Sequence, residues 1–160
     1  VSGELGIVNQ IEHLGRSYAG MSVANYHVVH EGDIVYTKSP LKANPYGIIK
    51  SNQGKAGIVS TLYAVYSCKS TAYHKYLNYY FAIDDNVNKY LRPLVHKGAK
   101  NDMKINNQRV LIDPIFAPSI EEQKKIVSFL EAFDQKLALV KQQIELTQTF
   151  KKGLLQQMFV

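Results

Sequence analysis

A strict apolar repeat near the C-terminus constrains the fold of this chain more than any other feature. Apolar residues recur at intervals of four, three, four, three and four, at Ile126, Leu130, Phe133, Leu137, Val140 and Ile144. This spacing predicts a helix whose apolar side chains form one seam, suited to packing against another helix. Ser119 and Glu122 fit a capping box, which places the start of the helix at Ile120.

The predicted helix is longer than the rest of the chain could cover. It extends to Met158, and would be about 58 Å long if it is unbroken. Gly153 lies inside it, where a glycine costs about 1 kcal/mol and favours a bend or break. The preceding ~110 residues would form a domain only about 30–35 Å across. We therefore expect part of the seam to pack against a second helix, from another copy or another subunit.

Charge and aromatic content divide the chain near the start of that helix. Residues 1–112 carry ten lysines and three arginines against seven acids, and so hold the whole net charge of +6. All eleven tyrosines, from Tyr18 to Tyr90, lie there too. We predict a domain at 1–115 and a helical spacer or dimerisation region at 116–160. The basic domain is expected to bind polyanions, the alternative being a charge that only aids solubility.

The first 115 residues read as short strands followed by helices, which predicts an α+β fold. β-branched and aromatic residues between turns predict strands at 26–30, 34–37, 47–49, 57–66 and 110–112. Helical spacing predicts one helix from Ser70 to Phe81 and another from Asp84 to just before Pro93. The glycine-containing polar segment 97–107 is predicted to be a loop.

Several functional classes are disfavoured by composition. No apolar run approaches the ~20 residues of a membrane span, and the N-terminus lacks a signal-peptide pattern. Cys68 is the only cysteine, so no disulfide is expected and a cytoplasmic location is the default. The five histidines show no ligand spacing. We expect no metal and no cofactor.

Two short segments imitate catalytic motifs. Asn44-Pro45-Tyr46 resembles the Asn-Pro-Pro-aromatic motif of amino-methyltransferases, but it lacks the second proline and a preceding glycine-rich turn. Asp113 with Glu122 and Lys124 imitates the spacing of a metal-dependent nuclease, although Glu122 falls in the first turn of a helix. Neither segment supports an enzyme, and we expect no catalytic residues.

The C-terminal residues carry a family resemblance. The segment from Pro118 to Ile126, the pairs at 129–130 and 133–134, and the ending at 151–159 resemble the specificity subunit of type I restriction–modification systems. The family pattern there is a proline, a Glu-Gln pair, a helix with a central Asp, and a Lys-Gly-Leu-Leu-Gln type of ending. The likeness covers residues 114–160. Upstream, residues 32–35 and 97–100 resemble the family's target-recognition domain.

The resemblance implies a compact mixed α/β target-recognition domain followed by a conserved helical spacer. Two such spacers would pack as an antiparallel coiled coil between two DNA half-sites. The implied partners are double-stranded DNA, methyltransferase subunits and, in the full complex, the restriction subunit. The chain is then either a half-length subunit that forms a homodimer or one half of a longer subunit, and its ending favours a C-terminal half.

Two polar loops are the predicted DNA contacts. The first is stiffened by prolines, and the second contains a glycine that permits close approach to a backbone. Lysine suits phosphate or guanine, and asparagine can read adenine through two hydrogen bonds. The predicted contact residues are Lys38, Ser39, Lys42, Asn44, Tyr46, Lys97, Lys100 and Asn101.

Two alternatives stay open at this point. A stand-alone coiled-coil DNA-binding protein, such as a repressor, would share the charge and the seam but would need no methyltransferase. A small nuclease or methyltransferase would give product when incubated with DNA, metal and methyl donor.

Overall fold

The computed structural model describes residues 1–17, 22–97, 103–105 and 107–159, with only the backbone of Lys97, Met103 and Lys104. The chain divides into two compact units, Val1–Gln123 and Lys124–Val160. In chain order the elements are α1 (Gln10–Leu14), β1 (His27–Val29), β2 (Ile34–Thr37), β3 (Ile49–Ser51), β4 (Gly57–Val59), β5 (Tyr63–Tyr66), α2 (His74–Tyr80), α3 (Asp84–Leu91), β6 (His96–Lys97), β7 (Met103–Lys104) and α4 (Ile120–Met158).

The described strands form small antiparallel sheets, which with the helices confirms the α+β fold. The central sheet has the order β3-β2-β5, so β2 pairs with a strand on each side. A two-stranded ribbon pairs β1 with β4, and a second pairs β6 with β7. Every residue of β2 is buried because both faces of this strand are covered. The predicted strand at 57–66 is in fact two strands separated by a turn at 60–62.

The core of the first unit lies between the central sheet, α2 and α3. Its buried members are Ile34, Tyr36, Ile49, Ala64, Phe81, Val87, Leu91, Val95 and Val110. Tyr80, Phe81 and Tyr90 meet edge to face with ring centroids 5.0–5.3 Å apart. Aromatic pairs in this arrangement add attraction beyond the area that they bury.

Three tyrosine hydroxyls hold loops onto this core. Tyr36 donates to the carbonyl of Tyr46 at 2.9 Å, and Tyr66 donates to that of Asn107 at 2.8 Å. Tyr90 donates to the carbonyl of Asp113 at 2.9 Å. A buried phenol needs such an acceptor. Each ring therefore packs in the core while its hydroxyl ties down an irregular segment.

The two predicted helices of the first unit are present, but the first starts later than expected. Ser70 does not cap it, because residues 69–72 form a turn and α2 begins at His74. The N–H of Tyr73, the N-cap residue, donates instead to the side chain of Gln123 at 2.9 Å. Gln123, 50 residues away in sequence, thus holds the N-cap residue, whose own side chain forms no capping hydrogen bond.

Two predictions for residues 97–112 are wrong. The loop prediction for 97–107 fails at Lys97, Met103 and Lys104, which belong to the paired strands β6 and β7, whereas residues 98–102 and 106 lie outside the described residues. The strand predicted at 110–112 is a turn, and Leu111 has a φ of 68° there. This left-handed backbone is incompatible with a strand. Val110 nevertheless reaches the core, which explains the apolar signal in the sequence.

The C-terminal helix is confirmed at its predicted start and length. α4 has 39 residues and passes through Gly153 without a break. The N–H of Glu122 donates to Ser119 Oγ at 3.3 Å, as the capping box predicts. Glu121 and Glu122 lie in the first turn, where negative charge is stabilised by the helix dipole.

Candidate nucleic-acid interface

The first predicted DNA-contact loop, here called the proline loop (residues 38–46), connects β2 to β3. Its return is fixed by Gly47, which has a φ of 94°. A Cβ atom at this position would clash with the carbonyl oxygen of Thr37. Only glycine fits both the conformation and the space. The N–H groups of Leu41 and Gly47 both donate to the carbonyl of Asn44 at 3.0 Å, so the loop closes tightly on itself.

The base of the proline loop is bonded to α3 and to the core. Asn44 Nδ2 donates to Asp84 Oδ1 at 2.9 Å, and Asn88 Nδ2 donates to the carbonyl of Ala43 at the same distance. The Tyr36 hydroxyl holds the carbonyl of Tyr46. These bonds leave the backbone of the loop little freedom. A backbone held in this way before binding loses less conformational entropy when a ligand binds.

The predicted contact residues of the proline loop are not equally placed. Ser39 and Lys42 are exposed at the tip, and Lys38 and Tyr46 are half-buried. Asn44 is only 6% exposed, and its amide nitrogen is bonded to Asp84. Among these five, Asn44 holds the loop, while Ser39 and Lys42 are exposed to solvent.

The structure describes the strands on either side of the second predicted contact loop, but not the loop itself. Lys97 lies at the end of β6, and only its backbone is described. Lys100 and Asn101 lie outside the described residues. Because β6 pairs with β7 in antiparallel fashion, the end of β6 and the start of β7 lie at the same end of this ribbon.

A buried polar pair that sequence reasoning missed, Asp33 and Asn52, joins the turns at one end of the central sheet. Asp33 accepts hydrogen bonds from the N–H of His30 at 2.8 Å and from the Ser67 hydroxyl at 3.0 Å. Asn52 Nδ2 donates to the carbonyls of His30 and Lys55 at 3.0 and 3.1 Å. Asp33 and Asn52 are 7% and 3% exposed. The Asp33 carboxylate therefore serves the fold, and a Gly-Asp turn directly before a strand was its only sequence signal.

Gln123 is the second residue whose role sequence reasoning missed. It is 1% exposed, and its amide forms three hydrogen bonds. Nε2 donates to the carbonyls of Thr71 and Pro118 at 3.0 and 2.9 Å, and Oε1 accepts from the N–H of Tyr73. The Glu-Gln pair in the family pattern pointed to this position, but not to its partners.

The seam of α4 is exposed over most of its length. Phe133, Leu137, Val140 and Ile144 are 43–57% exposed, while Ile126 and Leu130 are half-buried. Phe129 and Phe133 meet edge to face at 4.9 Å. Exposed apolar area of this extent on one helix is typical of an interaction surface.

A further apolar line, here called the second stripe, follows a different face of α4. It consists of Leu139, Leu146 and Phe150, which are 62–68% exposed. At 100° per residue it lies about 140° around the helix from the seam. One packed helix covers only one such line, so two separate surfaces of α4 are open to partners.

The described residues contain no candidate metal site and no candidate membrane-spanning helix. In the described part of the chain, no three His, Cys, Asp or Glu side chains gather closely enough to hold a metal ion. None of the helices described there is both long and apolar enough to cross a bilayer.

Comparison with known proteins agrees with the resemblance of the C-terminal segment and extends it upstream. The family model for the type I restriction modification DNA specificity domain matches residues 17–148. No curated protein gives a significant match. The matched range contains the proline loop, both ribbons and most of α4. Specificity domains are the DNA-recognition modules of type I systems and do no chemistry themselves. The chain belongs to the type I restriction modification DNA specificity domain family.

Proposed function

We propose that this chain is the DNA-recognition component, or half of it, of a type I restriction–modification enzyme. It would direct methyltransferase and nuclease subunits to a bipartite target. The observation that carries the proposal is the exposed seam of α4 downstream of a domain of the DNA specificity family. A seam with this heptad spacing is suited to a second helix. Pairing of two helices would set the distance between two recognition domains and hence between two half-sites.

The proline loop is the proposed reading element of the domain. Lys42 and Ser39 would contact phosphates or base edges, supported by Lys38 and Tyr46. Asn44 would contribute indirectly, by holding the proline loop in its conformation. We retain Lys97, Lys100 and Asn101 as proposed contacts on the second loop. The antiparallel pairing of β6 and β7 would bring the two ends of that loop close together.

The two apolar lines of α4 give each proposed partner a surface. The seam would pack antiparallel against the second spacer helix, supplied by a homodimer partner or by the other half of a longer subunit. The second stripe would receive a helix of the methyltransferase subunit. If the partner is a second copy, the two-fold axis requires an inverted-repeat target. A different half would give an asymmetric target.

Selection from a random DNA pool tests the proposal. The purified chain is expected to enrich two short half-sites separated by a fixed unspecified gap. A variant with Leu137→Asp and Ile144→Asp in the seam is expected to enrich at most a single half-site. Enrichment of one undivided site by both proteins, or of no sequence at all, would contradict the proposal.

Capture experiments separate this function from a stand-alone repressor. A type I methyltransferase subunit is expected to co-purify with the chain and to methylate adenines at the selected target. Leu139→Asp with Leu146→Asp, on the second stripe, should abolish capture while self-association persists. Selective DNA binding without capture would favour the repressor.

A further inference from the structure

The turn between β4 and β5, here called the 60–62 turn, lies beside the proline loop at one end of the central sheet. The N–H of Tyr63 donates to the carbonyl of Ser60 at 3.0 Å, which closes the turn. The N–H of Lys38 donates to the carbonyl of Leu62 at 3.2 Å, directly after the pairing of Thr37 with Tyr63 in the sheet. The start of the proline loop is therefore bonded to the 60–62 turn, and the two connections leave the sheet side by side.

Two side chains of the 60–62 turn are exposed to solvent. Thr61 is exposed, and Leu62 is 60% exposed. Leu62 has little backbone freedom, because its carbonyl is bonded to Lys38 and the next residue begins β5. A leucine side chain has neither donor nor acceptor, so it can add only the burial of apolar surface. The turn thus presents one apolar group next to the cations and hydroxyls of the proline loop.

The charge at this end of the sheet indicates which kind of partner would cover Leu62. Residues 37–46 and 60–63 contain two lysines and no acidic residue. Asp84, which meets the base of the proline loop, accepts a hydrogen bond from Asn44. A polyanion can therefore approach both connections without meeting an acidic side chain of either one. Because the chain belongs to a DNA specificity family, the polyanion that fits is DNA.

The bases of DNA offer a leucine one kind of contact in the major groove. The 5-methyl group of thymine is the apolar group that base pairs present there, among hydrogen-bond donors and acceptors. A leucine placed against the base edges would therefore favour thymine. Lys42 and Ser39 of the proline loop, in contrast, would use hydrogen bonds.

We propose that the 60–62 turn is a second DNA-reading element, in which Leu62 packs against the methyl group of a thymine. This inference rests on the proposed function, because it places the thymine next to the groups of DNA that the proline loop contacts. Leu62 would then determine specificity at one position of the half-site.

Replacement of thymine by uracil tests this contact, because uracil lacks only the methyl group. Each thymine of the target selected from the random pool is replaced in turn, and fluorescence anisotropy measures the affinity. The wild-type chain is expected to bind about fourfold more weakly when one particular thymine is replaced, since one buried methyl group is lost. Leu62→Ala should bind the unmodified target at least about fourfold more weakly, and should not distinguish thymine from uracil at that position.

Leu139→Ala is the matched control, because Leu139 is a leucine of 62% exposure on the second stripe of α4. This variant should bind every target of the set as the wild type does. Leu62 is exposed, so Leu62→Ala should also keep the urea unfolding midpoint of the wild type. A weaker affinity of Leu62→Ala then reports a lost contact with DNA and not a loss of folding.

Three outcomes would overturn the role of Leu62. The first is a selected target without thymine, and the second is a Leu62→Ala chain that still discriminates against uracil as the wild type does. The third is unchanged DNA binding by Leu62→Ala together with loss of methyltransferase capture, which would assign Leu62 to a protein partner. A chain that selects no DNA sequence would contradict the proposed function, whereas selective binding without thymine discrimination would contradict the role of Leu62 alone.

Discussion

At the scale of single residues, the most informative side chains are polar groups that connect distant parts of the sequence. Gln123 joins the start of α4 to the turn before α2, and Asn44 joins the proline loop to α3. Both are buried, and both have carbonyl, carboxylate or N–H partners at hydrogen-bond distance. In a buried place such bonds matter mainly because their loss leaves the partner unsatisfied.

Gln123→Ala is therefore expected to lower the free energy of unfolding by about 2–4 kcal/mol, since three hydrogen bonds lose their partner. Urea unfolding monitored by circular dichroism, at one fixed protein concentration, measures the change. Gln142→Ala is the matched control, an exposed glutamine on the same helix, with an expected change within about 0.5 kcal/mol. Equal effects of the two substitutions would show that the buried amide does not anchor the helix.

Gly47 is the second residue with a sharp prediction. Gly47→Ala places a methyl group against the Thr37 carbonyl in a backbone conformation that alanine avoids. We expect a loss of more than about 2 kcal/mol, again from urea unfolding. Gly57→Ala is the control, because a Cβ atom there meets nothing within 4 Å. If Gly47→Ala is tolerated as well as the control, the return of the proline loop is not fixed by glycine.

At the scale of elements, local patterns predicted local structure well. The start and the length of α4 were predicted from residues three or four positions apart, and both are confirmed. Strand β2 and helix α3 also lie where β-branched residues and helical spacing predicted them. Such signals are carried by the segment itself.

The errors arose where a distant contact decides the local structure. The N–H of Tyr73 is satisfied by Gln123, so α2 starts without Ser70. Val110 is apolar because it reaches the core from a turn, not because it belongs to a strand. The burial of Asn44 depends on Asp84, 40 residues away. Contacts of this kind cannot be predicted from a single segment. For the same reason, the sequence could not distinguish the buried from the exposed residues of the proline loop.

The exposed seam of α4 gives the prediction that belongs to this scale. Leu137→Asp with Ile144→Asp should raise the dissociation constant of the dimer by at least about a hundredfold, because two apolar contacts are replaced by buried charges. Sedimentation equilibrium measures the change, and circular dichroism checks that the helix persists. Gln135→Asp with Gln142→Asp has the same seven-residue spacing on the opposite side of the helix and should not alter association. A monomeric wild type would contradict the homodimer, and the remaining interpretation would be that the chain is one half of a longer subunit.

At the scale of the whole molecule, two half-buried tyrosines are expected to make the stability depend on pH in the alkaline range. Burial raises the pKa of Tyr66 to about 12, and burial with the Asp113 charge raises that of Tyr90 to about 12. In the unfolded chain these phenols ionise near pH 10. Between pH 10 and 12 the folded chain therefore holds more protons than the unfolded one, and its stability falls as pH rises.

We expect the contribution of these two tyrosines to the urea unfolding midpoint to be constant below about pH 10. From there to about pH 12 the midpoint should decrease. Solvent screening makes the decrease smaller than a fully buried group would give, because both rings are only half-buried. Tyr90→Phe should be less stable at pH 8, where it lacks the bond to Asp113, yet lose less between pH 10 and 12. An identical pH dependence in this variant would show that Tyr90 ionises equally in both states.

Recognition of DNA is the other property of the whole molecule, and its salt dependence counts the phosphates that the chain neutralises. Each neutralised phosphate contributes about 0.9 to the slope of log affinity against log salt. Lys42 is exposed at the tip of the proline loop, so Lys42→Ala should weaken binding to the selected target and lower the slope by about one. Fluorescence anisotropy at five salt concentrations measures both quantities. Lys141→Ala removes an exposed cation from α4, where charges balance over residues 113–160, and should leave the slope unchanged. A lower affinity for the selected target with an unchanged slope would assign Lys42 to a base edge, and no change in either quantity would remove it from the interface.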